Sequence, residues 1–153
     1  MQRKQLISKL NTLCNTLEAK YEINHGGCCF LAYLISRWLE KLNIPYSLTI
    51  CDYVDKNENE LQNQLSTREL NDSLVDSLIG EGTAYHYYIS TKYGDINSED
   101  EDDLNIYSLD ATSDDIEWIY DHGSWNSQYN TTFNNDISDI INNFFKSLNY
   151  EKE

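Results

Sequence analysis

Basic residues are scarce in this chain of 153 residues: 11 Lys and Arg stand against 26 Asp and Glu, for a net charge of −15. A field of that sign repels phosphate backbones and anionic membrane surfaces, so neither nucleic acid nor membrane is an expected partner. No apolar stretch approaches membrane-spanning length. There is no paired Cys-x-x-Cys and no internal repeat, which removes the common zinc-ribbon and solenoid patterns. No low-complexity linker divides the chain, and 40% of residues are hydrophobic with 12% aromatic. One domain with a real core is therefore expected over residues 1–153.

Four cysteines are present, Cys14, Cys28, Cys29 and Cys51. They are too few for a disulfide scaffold at this length, and an adjacent Cys28–Cys29 bridge would be strained. Reduced thiols and a cytoplasmic setting are expected. The opening Met1-Gln2-Arg3-Lys4 is basic, but residues 5–21 are amphipathic rather than continuously apolar, which reads as helix and not as a secretory signal.

Leu6, Leu10, Leu13, Leu17 and Tyr21 recur at helical spacing and predict a helix over about 3–21. A second helix, apolar over most of its surface, is predicted from Cys28 to about Leu42; Asn43-Ile44-Pro45 ends it. Residues 46–53, 83–90 and 105–109 carry strand patterns. Residues 55–80 are polar and helix-permissive, an insertion or a lid. The six carboxylates between Asp95 and Asp103 read as a solvated loop. Residues 111–132 are irregular, anchored by Trp118, Tyr120, Trp125 and Tyr129. A last helix is expected over about 135–149, with Ile137, Ile140, Ile141, Phe144 and Leu148 as its stripe.

Chemistry concentrates at Asn24-His25-Gly26-Gly27-Cys28-Cys29. A cysteine in the first turn of a helix meets unpaired N–H groups and partial positive charge, which favour the thiolate. Gly26 and Gly27 clear side chains from the approach to it. His86, in a strand, supplies a base, and Asp110, at the end of another, a group to orient that base. Asn24 and the backbone at Gly27 and Cys28 are candidates for an oxyanion or substrate-binding site. Against this stand blander readings: a core cysteine at position 28, a structural histidine at 86, and a turn-capping Asp110 paired with Thr112. Cys29 is the alternative nucleophile. A zinc site from His25, Cys28, Cys29 and Cys51 or His122 has poor ligand spacing, so no metal or cofactor is expected.

Three fragments resemble the transglutaminase-like branch of the papain-like thiol enzymes. They are Gly26-Gly27-Cys28 leading through Ala32 to Leu42-Asn43-Ile44-Pro45, His86 within Ala84–Ile89, and Leu109-Asp110-Ala111-Thr112. Here Asn43 and Ala111 replace the family's usual glycine and proline. The resemblance implies an α+β fold, papain-like or transglutaminase-like: a central buried helix on a mainly antiparallel sheet, with flanking helices. It implies a Cys28-His86-Asp110 triad acting on a peptide, protein or amide substrate by hydrolysis or acyl transfer. The acidic surface adds a preference for basic partners. A non-catalytic acidic binding module or inhibitor on the same scaffold is the alternative.

Overall fold

The computed structural model describes residues 2–21, 28–52, 84–97, 105–122 and 131–148. Along the chain these form α1 (Arg3–Tyr21), α2 (Cys28–Lys41), β1 (Ser47–Asp52), β2 (Ala84–Thr91), β3 (Gly94–Ile96), β4 (Asn105–Leu109), α3 (Ser113–His122) and α4 (Thr131–Ser147). The fold is α+β. Its four strands make one sheet in the order β3-β2-β1-β4, and every neighbouring pair is antiparallel. The segment 55–80 lies outside the described residues.

Alternation sorts the strand residues into two faces. Leu48, Ile50, Tyr87, Ile89, Ile96 and Leu109 share one core with the apolar sides of the helices. Thr49, Cys51, His86 and Tyr88 alternate with them and are buried too. α2 is central: it packs on β2 and also against α3 and α4, while α1 lies along β3. That placement explains why eight of the fourteen residues of α2 are buried, from Cys28 to Leu39. Even its Ser36 is buried, with the hydroxyl turned back to the Tyr33 carbonyl at 2.7 Å.

The end of α2 is set by a left-handed residue. Asn43 has φ 57°. The Ile44 N–H donates to the Leu39 carbonyl at 2.9 Å and the Asn43 N–H to the Glu40 carbonyl at 3.1 Å. This pair of bonds is a Schellman motif, and asparagine is the residue after glycine best suited to it. Leu39 and Ile44, its apolar pair, are both buried. Replacing Asn43 by alanine is expected to lower stability by about 1 kcal/mol, because alanine meets the full left-handed penalty. Asn43→Gly relieves that penalty and should not destabilise; urea unfolding of the two variants measures the difference.

Two elements depart from the sequence expectation. Residues 111–132 hold the helix α3, and residues 94–96 pair as the strand β3. A capping box starts α3: the Thr112 N–H donates to Asp115 Oδ2 at 2.9 Å, and the Asp115 N–H to Thr112 Oγ1 at 3.2 Å. Thr112 thus caps α3 together with Asp115. Ile116, Ile119 and Tyr120 then give the buried stripe. In α4, Ile137, Ile141 and Phe145 are buried, whereas Ile140 and Phe144, with Leu148 just past its end, are only partly so.

Glu40 ties the far end of α2 to α3. Its carboxylate accepts from the Ser113 N–H at 2.8 Å, the Ser113 hydroxyl at 2.7 Å and the Tyr46 hydroxyl at 2.6 Å. Burial pushes Glu40 up, but these bonds and the Arg37 charge outweigh it and hold its carboxyl below the ordinary value. Burial first, and then Glu40, push the Tyr46 hydroxyl up. A carboxyl depressed in the fold stabilises above its unfolded pKa, and that contribution fades as pH falls through the folded value. Glu40→Gln is therefore expected to cost about 1 kcal/mol or less near neutrality, since the group is largely exposed. The difference from wild type should vanish in acid, as thermal melts across pH will read.

Candidate functional site

Cys28 opens α2 and is 6% exposed. It borders a cavity of about 10 Å³, lined also by Leu31, Ala32, Ile35, Tyr87, Tyr88 and Ile96. That is room for about one water. The neighbouring thiol is different in kind. Cys29 is fully buried, and its Sγ donates to the Ile116 carbonyl of α3 at 4.0 Å. Burial, then the Cys28 and Asp121 charges, push the Cys29 thiol well up. Burial likewise pushes Cys14 up to about 12. Burial thus favours the protonated thiol at both positions.

His86 is 1% exposed, and its Nε2 lies 2.6 Å from Asn97 Oδ1. An amide oxygen only accepts, so Nε2 carries the proton and donates. The tautomer is assigned from this partner. Asn97 is itself held: its backbone N–H donates to Asn11 Oδ1 of α1 at 2.8 Å. The imidazole also lies against Tyr88, with ring centroids 5.6 Å apart. Tyr88 is thus a shared neighbour, touching the His86 ring and lining the Cys28 cavity. Across the β1–β2 ladder, His86 is paired with Cys51.

The hairpin explains why Asn97 arrives there. Thr91 pairs with Gly94, leaving Lys92 and Tyr93 as the turn. The Thr91 hydroxyl donates to the Gly94 carbonyl at 2.9 Å and accepts from the Tyr93 N–H at 3.1 Å. Gly94, at φ 136°, supplies a conformation that residues with a Cβ rarely adopt. β3 pairs only with Ile89–Thr91, so among the described residues the β3 side of β2 has no ladder partner before Ile89. Asn97 folds back along that edge, where the imidazole of His86 reaches it.

Cys28 and His86 lie toward the same end of the fold, with His86 on the strand face opposite Tyr87, which lines the Cys28 cavity. α2 ends where the chain turns into β1, so β1 runs back toward the start of α2, and its Cys51 pairs with His86. Asp110 lies at the other end. It follows Leu109, which pairs with Leu48 and through it aligns with Ile89. Asp110 is therefore four strand positions and two strand spacings from His86, about 16 Å at about 3.3 Å per residue and 4.8 Å per strand. Glu40 of the last turns of α2 reaches Ser113, just past Asp110. The expectation that Asp110 orients His86 is thus corrected: Asp110 is exposed and beyond reach, and Asn97 holds the imidazole. Sequence reading missed Asn97 because it sits at the mouth of the acidic stretch 95–103. A usable signal was the Gly94 turn, which returns the chain along the histidine strand.

Asn24 and Gly27, the expected oxyanion and substrate-binding positions, lie outside the described residues, as do His25 and Gly26. Among the described residues no three His, Cys, Asp or Glu side chains gather to hold a metal ion. No described helix is long and apolar enough to cross a membrane. No family model, curated protein or solved structure matches this chain.

Proposed function

We propose that the chain is a thiol-dependent acyl-transfer enzyme of transglutaminase-like, papain-like type. Cys28 is its nucleophile, His86 its base, and Asn97 rather than Asp110 its orienting group. The observation that carries this reading is the 2.6 Å bond from His86 Nε2 to Asn97 Oδ1 at the end of the fold where α2 begins with Cys28. With Nε2 donating to Asn97, Nδ1 is the nitrogen that would act as base, and it takes the Cys28 proton once the two side chains are brought within hydrogen-bond reach. The thiolate then adds to a peptide or amide carbonyl, and the imidazolium returns the proton to the departing amine. The thioester left on Cys28 passes its acyl group to water or to a second amine. The Cys28 N–H at the start of α2, with Asn24, would hold the oxyanion.

The test is the pH dependence of iodoacetamide alkylation at each cysteine, read by peptide mass spectrometry, in wild type and His86→Ala. Cys28 should react with a midpoint below the ordinary thiol value of about 8.5. In His86→Ala that midpoint should rise by about one unit or more, a tenfold slowing near neutrality. Cys14 and Cys29 should stay unreactive until the protein unfolds. A Cys28 as inert as these two would overturn the enzyme reading and leave the acidic binding module.

A further inference from the structure

Away from Cys28, the second half of α2 and the facing side of α4 form a groove of about 290 Å³. Its wall consists of Leu34, Arg37, Trp38, Lys41, Ser138, Asn142 and Lys146. Among the described residues three cations and no carboxylate line it, in a chain where acids outnumber bases 26 to 11. Glu40 lies between Arg37 and Lys41 in sequence, but its carboxylate turns to Tyr46 and Ser113.

We propose that this groove binds a small polyanion carrying two or more carboxylate or phosphate groups. The simplest competing account is that Lys41 and Lys146 offset the helix ends, since each stands in a last turn. Two helix C-termini amount to about −0.5 charge each, and the Glu40 carboxylate acts on Arg37, so three cations leave the groove about one charge positive. The polar contacts also converge on donation. The Trp38 indole N–H donates to Asn142 Oδ1 at 2.8 Å, so the amide end left to Asn142 is its donor NH₂. The Trp38 ring stacks on Phe145, with centroids 5.0 Å apart and planes 2° from parallel. Lys41 Nζ stands 4.5 Å from the Trp38 ring centroid. Arg37 is held by Tyr33, whose hydroxyl accepts from Nη1 at 3.1 Å. Two of the three cations are thus positioned by aromatic side chains before any ligand arrives, which lowers the ordering cost of binding. The volume matches the lower end of small-ligand sites, about 300 Å³. A long polyanion would meet the repulsive field of the rest of the molecule, whereas a short one is shielded from it beyond about 8 Å at physiological salt.

Pyrophosphate and citrate, titrated separately into the full chain by calorimetry at constant ionic strength, test this and separate phosphate from carboxylate preference. At least one should bind saturably. The Lys41→Gln, Lys146→Gln double variant should weaken that binding about tenfold or more, as expected for charge-assisted hydrogen bonds. Both side chains are exposed, so the variant should keep its far-ultraviolet dichroism and melting temperature. As a readout independent of mutation, the Trp38 indole N–H resonance of wild type should shift on saturation. Absence of saturable binding by either probe, unchanged affinity in the double variant, or shifts confined to other parts of the chain would each overturn the proposal.

Discussion

Acyl release from a p-nitrophenyl ester should fall about 10²- to 10⁴-fold in Asn97→Ala and stay at the wild-type rate in Asp110→Ala. The size of the effect follows from what the amide does. Asn97 Oδ1 accepts from His86 Nε2, which under the proposed function leaves Nδ1 to act as the base. Without it the buried ring is free to adopt the other tautomer, in which Nδ1 carries a proton and cannot act as a base. Asn97→Asp keeps an acceptor at the same place and should retain most of the rate. If the ester reaction stops in Cys28→Ser, the readout is confirmed as thiol-dependent. A loss in Asp110→Ala equal to that in Asn97→Ala would refute the assignment of Asn97, because the two residues sit at opposite ends of the sheet.

The second large effect concerns stability. Leu39→Ala should reduce the free energy of unfolding by about 2–5 kcal/mol, a large share of the roughly 5–15 kcal/mol that holds an ordinary domain together. Leu39 is fully buried in the central helix, and its carbonyl closes the Schellman bond to Ile44. Truncation leaves a cavity in the core and strips the apolar contact from that helix end. Urea unfolding should show a lower midpoint with an unchanged slope. Leu13→Ala, on the half-buried flank of α1, should cost distinctly less. Equal losses at the two positions would mean that α2 is not the centre of the core.

The long periodic elements were legible because burial imposes its period on many residues at once. α1 and α2 each run for more than three turns, and β2 is eight residues rich in strand formers. The short elements were not. β3 has three residues, too few for alternation to stand out beside a run of carboxylates. α3 begins in a capping box that uses aspartate where the stronger signature has glutamate or glutamine. Of the candidate site, Cys28 at a helix start and His86 in a strand were both readable from their neighbours. The partner of His86 was not, because sequence order places Asn97 and Asp110 equally well after the histidine. Only the ladder register tells which end of the sheet each one reaches.

The turn at Lys92 and Tyr93 acts as a ruler between two polar side chains. Adding or removing one residue between His86 and Asn97 would exchange the faces of the returning strand. Ile96 would then leave the apolar core and Asn97 would no longer be aimed at the imidazole. Chains that share this histidine–asparagine pair should therefore vary in the residues at positions 92 and 93, but hardly at all in how many residues separate the pair.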